Sequence, residues 1–155
     1  MALKAGDKAP EFSLPDQGGA EHRLADEKGK WTLLYFYPKD DTPGCTKEAC
    51  ALRDNYPAFT RLGIDVFGVS TDTVESHEEF ALKFNLPFTL LADHQKKVVL
   101  AYGVGSKALG IPLPFSSRTS FLIDPELTIA KVYDKVKPEE HAQEVLRDLA
   151  ALIKA

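Results

Sequence analysis

Apolar positions along this 155-residue chain fall into short continuous or alternating runs and longer stretches with a three-and-four rhythm. Trp31-Thr-Leu-Leu-Tyr-Phe-Tyr37 is a nearly unbroken apolar and aromatic run ended by Pro38, the pattern of a central strand covered on both faces. Ile64-Asp-Val-Phe-Gly-Val-Ser-Thr71 predicts a second strand, and Thr119-Ser-Phe-Leu-Ile123, closed by Asp124-Pro125, a third. From Thr128 to Val136, Ile129, Lys131, Tyr133 and Lys135 alternate against Ala130, Val132, Asp134 and Val136, which predicts a fourth. Helical spacing lies between these runs. Val74, His77, Phe80, Ala81 and Phe84 share one face of an amphipathic helix. Ala142, Val145, Leu146, Leu149, Leu152 and Ile153 do the same behind Pro138-Glu-Glu, a favourable helix start with acid in its first turn. Cys45 to Leu62 is also compatible with helix, with a break or kink expected at Pro57.

Strand, helix, strand, helix, then two late strands and a closing helix is the order of an α/β protein: a mostly parallel sheet with helices on both faces. No internal repeat or linker divides it, so residues 1–155 read as a single domain. Chemistry in such sheets gathers beyond the carboxyl ends of strands. The segment Pro38-Lys-Asp-Asp-Thr-Pro-Gly-Cys45 lies at such an end, immediately after Tyr37.

Composition narrows the function classes. With 44% hydrophobic and 27% charged residues the chain reads as a globular protein, and no stretch has the apolar length of a membrane span. Its formal charge of −4, spread along the chain, lacks the positive field that draws proteins onto nucleic acid. Lys4 and Lys8 are followed by no apolar segment of the secretory kind, so the expected location is cytoplasmic. In that reducing setting the two cysteines are a poor staple. A bridge between Cys45 and Cys50 would close a loop of about six residues, worth only about 2 kcal/mol, and cytosolic disulfides tend to be transient, catalytic or redox-sensing.

A thiol is a nucleophile only as thiolate, and its reference pKa of about 8.5 leaves it mostly protonated at neutral pH. A cysteine in the first turn of a helix sits at the positive end of the helix dipole, beside N–H groups without intrahelical partners. The Thr-Pro-Gly turn before Cys45 would place it there, and a cation brought from elsewhere in the chain would favour the thiolate further. A buried cysteine acting as a small hydrophobe is the bland alternative. The four-residue gap between the cysteines, with His22, His77, His94 and His141 scattered, forms no recognisable zinc pattern, so no metal is expected.

Pro38-Lys-Asp-Asp-Thr42-Pro-Gly-Cys45 resembles the active-site motif of the peroxiredoxins: Pro, three residues, Thr, two residues and the peroxidatic Cys. Cys45-Thr-Lys-Glu-Ala-Cys50 is similar to the branch called bacterioferritin comigratory protein or peroxiredoxin Q. Arg118-Thr-Ser-Phe-Leu-Ile-Asp124 resembles the family's arginine-bearing strand, and Ala9-Pro-Glu-Phe-Ser-Leu14 its N-terminal strand. The resemblance covers essentially the whole chain and implies a thioredoxin-like fold. It implies that Cys45 attacks a hydroperoxide and that Cys50 captures the resulting sulfenic acid as a disulfide. Thioredoxin or a similar dithiol would recycle that disulfide, in a monomer without metal, haem or flavin. Thr42 would offer a hydroxyl, and Cys45 a backbone N–H, to the peroxide; Arg118 would bond thiolate and peroxide, Pro38 shield the pocket, and Glu48 orient the arginine.

Each residue also has an ordinary reading. Thr42 would cap the helix, Pro38 end a strand, and Arg118 or Glu48 be solvated charges worth little. Two rival functions remain on the same fold: a thiol-disulfide oxidoreductase, disfavoured because such enzymes usually separate their cysteines by two residues, and a binding module without catalysis. The segment 105–117, rich in Pro and apolar residues, resembles plastid and cyanobacterial members more than bacterial ones.

Overall fold

The computed structural model describes residues 3–154; Met1 and Ala2, at the head of the N-terminal segment read above, and Ala155 lie outside the described residues. In chain order, β1 (Ser13–Pro15) and β2 (Glu21–Arg23) form an antiparallel pair and lead into β3 (Trp31–Phe36), α1 (Pro43–Arg61) and β4 (Ile64–Ser70). Next come α2 (Val74–Phe84), β5 (Thr89–Ala92) and the short α3 (Lys97–Ala101). A hairpin of β6 (Gly105–Ala108) and β7 (Ile111–Ser116) precedes β8 (Ser120–Ile123), β9 (Ile129–Tyr133) and α4 (His141–Lys154). The main sheet has the order β5-β4-β3-β8-β9.

The unbroken apolar character of β3 follows from its central place. Successive strand residues point to opposite faces, and both faces are covered. Leu33, Tyr35 and Tyr37 pack with Leu52 and Phe59 of α1, Phe80 of α2 and Val145 and Leu149 of α4. Leu34 and Phe36 pack on the other side with Phe12, Val98 of α3 and Tyr102. Helices therefore lie on both faces, as expected. The sheet itself is mixed: β3, β4 and β5 are parallel, while β3–β8 and β8–β9 are antiparallel. That reversal positions the chemistry, because pairing of Tyr35 with Ser120, and the bond from Phe36 N to Thr119 O at 2.8 Å, set the start of β8 beside the end of β3. Arg118 thereby reaches the turn that carries Cys45.

Pro57 neither breaks nor ends α1, which runs from Pro43 to Arg61. The ring removes a donor to the preceding turn and costs about 3 kcal/mol, but Leu52 and Phe59, on either side of it, are fully buried, and each such side chain contributes about 1.5–3 kcal/mol. Helix α4 starts at His141, later than Pro138-Glu-Glu suggests, because residues 138–140 form a turn. The remaining predicted elements lie within a residue or a few of their expected places.

Candidate active site

Helix α1 begins as its sequence dictates. Thr42 is extended (φ −98°, ψ 156°) and Pro43 opens the helix, where its fixed φ fits and its missing N–H costs nothing. The first intrahelical bond runs from Thr46 N to Thr42 O at 2.8 Å. The N–H groups of Gly44 and Cys45 precede it, at the positive end of the helix dipole. Here the Cys45 side chain is 1% exposed, and Arg118 Nη2 donates to its Sγ at 3.4 Å. The cation the thiol requires is thus in contact with it.

Arg118 is shared between two acceptors. Its Nη1 donates to Glu48 Oε1 at 2.8 Å, and Glu48 lies one helical turn beyond Cys45 on the same side of α1. Burial opposes the arginine's charge, and Cys45 and Glu48 more than offset it, holding Arg118 above its usual value and therefore cationic. Burial acts the other way on Glu48. Its carboxyl is pushed up to about 7 by desolvation, against the lowering effect of Arg118, and its Oε2 is buried with no hydrogen-bond partner among the described residues. An uncompensated carboxylate oxygen in low dielectric is where a proton binds.

A carboxyl raised from 4.5 to about 7 on folding contributes stability that is complete below the unfolded value and lost as pH climbs through the folded one, a swing of about 3 kcal/mol. In urea titrations, Glu48→Gln, which cannot ionise, should gain stability relative to the parent between pH 4.5 and 7; parallel pH curves would refute the shift.

Thr42 does not cap the helix with its side chain. Its Oγ1 donates to Lys39 O at 2.8 Å, which commits the hydroxyl proton and leaves the oxygen lone pairs facing outward as acceptors. Gly44, which sequence reasoning passed over, also belongs to the site. A Cβ built there would lie 2.9 Å from Arg118 Nη2, so glycine is what allows the guanidinium to approach the sulfur. The φ of Gly44 is not positive, and alanine suits a helix better than glycine. Gly44→Ala should therefore keep or raise the melting temperature while displacing Arg118, slowing oxidation of the Cys45 thiol about tenfold, as misplacement of a fixed group does. Stopped-flow rates beside thermal melts check this; an unaltered rate would show that the arginine's approach is immaterial.

Pro38 is half-buried in the turn leaving β3. Cys50 is half-buried on α1, and both thiols are free. Residues five apart on a helix are rotated by about 140° and offset by about 7.5 Å, which puts their Cα atoms about 8 to 9 Å apart. The structure thus brings Cys45, Arg118 and Glu48 into contact, with Thr42 at the N-cap of the same helix and bonded to Lys39 O, and holds Cys50 further along α1. Beside them, Asp40, Asp72 and His77 place possible ligand atoms within 4.8 Å of one another. His77 Nδ1 and Asp40 Oδ2 are 2.7 Å apart, a hydrogen-bond distance and shorter than the roughly 3.3 Å between two ligands of a tetrahedral zinc ion. A cleft of about 470 Å³ lined by Phe12, Leu14, His94 and Val98 lies on the other face of the sheet and contains neither cysteine.

The family model of the AhpC/TSA family matches residues 5–132. The Escherichia coli K12 protein named peroxiredoxin Bcp is 48% identical over 146 residues, covering 93% of this chain and 94% of that one. A solved structure of a Xylella fastidiosa PrxQ cysteine-to-serine mutant superposes with a TM-score of 0.92 at 31% identity, over 99% of both chains. A second, of the Xanthomonas campestris bacterioferritin comigratory protein, concerns alkyl peroxide reduction and a trapped intermediate/ligand complex; it gives a TM-score of 0.86 at 34% identity over 91% of both chains.

Proposed function

Because this chain belongs to the AhpC/TSA family, in the branch of the Bcp and Q peroxiredoxins, and is a thiol peroxidase, we propose that Cys45 is its peroxidatic nucleophile and Cys50 its resolving thiol. The observation that carries this assignment is the contact of Arg118 Nη2 with Cys45 Sγ at 3.4 Å, at the N-terminal turn of α1.

The cycle balances without a cofactor. The Cys45 thiolate attacks the terminal peroxide oxygen, the O–O bond breaks, and the departing alkoxide takes a proton to leave as alcohol or, from hydrogen peroxide, as water. Negative charge moves from sulfur to the leaving oxygen during attack. Donors fixed beside that path stabilise the transition state: the Arg118 guanidinium and the Cys45 N–H. The lone pairs of Thr42 Oγ1 orient the peroxide by accepting its O–H, since the Thr42 proton is held by Lys39 O. Pro38, which has no N–H, shields the turn, and Glu48 holds Arg118 in place. The product sulfenic acid then condenses with the Cys50 thiol, releasing water and forming the disulfide, and an external dithiol of the thioredoxin type returns both cysteines to thiols. The reading is of a single-domain monomer, and no helix among the described residues is long and apolar enough to cross a membrane. The cytoplasm is the proposed setting.

Condensation requires movement. A disulfide tolerates Cα atoms only about 4.4 to 6.8 Å apart, closer than two residues five apart on a helix. The first turns of α1 should therefore open on oxidation, a local event near a helix end where few bonds break. Peroxide consumption with dithiothreitol as reductant tests the activity; its absence would reject the reading. Hydrogen exchange of the two redox forms should show protection lost across 45–53 on oxidation. Equal protection, with the disulfide in place, would contradict the opening.

A further inference from the structure

The turn that delivers Pro38 and Thr42 is tied down from several sides by groups the peroxidase chemistry does not use. Tyr37 N donates to Val69 O at 3.0 Å, and Ser116 Oγ donates to Tyr37 O at 2.9 Å. Asp40 N donates to Asp72 Oδ2 at 2.8 Å, and Lys83 Nζ meets Asp41 Oδ2 at 2.7 Å. At the centre, the Asp40 carboxylate has a side chain only 4% exposed. Its Oδ1 accepts from Tyr37 Oη at 2.6 Å, and its Oδ2 accepts from Ser76 Oγ at 2.8 Å and contacts His77 Nδ1 at 2.7 Å. His77 is fully buried, with Nε2 at 2.8 Å from Leu91 O. Asp41 has a positive φ of 56°, a left-handed conformation that costs about 1 kcal/mol or more outside glycine. A turn of this shape persists only where its surroundings hold it.

The protons of the pair can be counted. Leu91 O only accepts, so His77 Nε2 carries a hydrogen. Nδ1 and Asp40 Oδ2 at 2.7 Å are too close for two facing lone pairs, so a proton lies between them as well. Whichever atom holds it, the pair is net neutral and joined by a short hydrogen bond. Asp40 stands two residues before Thr42, whereas His77 belongs to α2 and is anchored to β5. The bond therefore fixes the turn against a rigid part of the fold.

We propose that the Asp40–His77 pair is the positioning element of the peroxide site: it sets the 38–42 turn so that Thr42 Oγ1 and the first turn of α1 stand ready against Arg118 before peroxide arrives. The proposal rests on the assignment of Cys45 and Thr42 above. Neither Asp40 nor His77 touches the sulfur. They act through the backbone of the turn, and their loss should impair the reaction that needs the turn while sparing one that needs only the thiol.

Two reactions of Cys45 separate these roles, each measured in a Cys50→Ser background. Peroxide oxidation uses the donors and acceptors of the turn; alkylation by iodoacetamide uses the thiolate alone. In Asp40→Asn and His77→Gln the second-order rate with hydrogen peroxide should fall by about 30-fold or more while alkylation changes by less than about threefold, because a displaced orienting group costs far more in a reaction that depends on alignment. Ser76→Ala, which removes one bond to Asp40 and keeps the pair, should show the same split in milder form, and it decides the matter if the other two variants do not fold. Peroxide and alkylation rates that fall together, or a peroxide rate unchanged in a folded variant, would overturn the proposal. Thr42→Val serves as the control for the underlying reading: if it leaves the peroxide rate intact, the assignment of Thr42 has failed, and not the role of the pair.

Discussion

Cys45→Ser should abolish peroxide reduction, whereas Cys50→Ser should complete one fast turnover and then stall with Cys45 as a sulfenic acid. The asymmetry follows from what surrounds each sulfur. Cys45 lies at the head of α1 with the Arg118 guanidinium 3.4 Å away. A serine hydroxyl there remains protonated and is no nucleophile toward an O–O bond. Cys50 lies well along the same helix, away from that cation, and is required only after the sulfenic acid exists. Deprived of it, the sulfenic acid can be reduced by an added thiol or driven up the oxidation ladder by further peroxide. Rapid-mixing kinetics with mass analysis of the single-turnover product distinguishes the two variants; an equal loss of the first turnover in both would remove the distinction between the cysteines.

The second large effect is at Arg118. Arg118→Met keeps an unbranched apolar stem but deletes the donors that meet Cys45 and Glu48, and loss of one such donor at a developing charge costs about 10²–10³ in rate. Stability should respond with a specific pH dependence. Removing one partner of a buried ion pair ordinarily costs about 3–5 kcal/mol, because a charge is left unpaired. Glu48 escapes most of that cost where it can take up a proton, and without Arg118, which now lowers it, its carboxyl rises above about 7. The variant should thus be close to the parent in stability in mildly acidic solution and fall behind as pH rises beyond neutrality. An unchanged peroxide rate would exclude Arg118 from the reaction; a stability deficit independent of pH would mean that Glu48 stays ionised.

Much of this architecture is legible in the amino-acid order. The apolar run at Trp31 and the three-and-four rhythm from Val74 mark elements whose burial pattern is local, and the Pro38-to-Cys45 segment stands out by its position after a strand, its chemistry being what the family resemblance implies. Less legible are features that arise from pairing. Strand β5 is only four residues long, too short for periodicity to declare. The hairpin of β6 and β7 carries Pro112 and Pro114, which argue against a strand except at an edge. Pro57 misleads because its cost is local while the burial that offsets it is tertiary. Arg118 can be matched to the site by resemblance, but what brings it 73 positions back to Cys45 is the antiparallel placement of β8 beside β3. Gly44 and His77 give no signal of their own: one matters for the side chain it lacks, and the other looks like an ordinary apolar-face residue until Asp40 is seen against it.

In the proposed cycle Cys45 reacts with peroxide and Cys50 traps the product. Peptide mapping by mass spectrometry after one equivalent, and then an excess, of hydrogen peroxide tests it most directly. Both samples should show loss of two hydrogens and a peptide joined through Cys45 and Cys50, because the resolving thiol captures the sulfenic acid before a second peroxide does. Unlinked cysteines after one equivalent, or dominant addition of two oxygens at Cys45 in the excess sample, would contradict it.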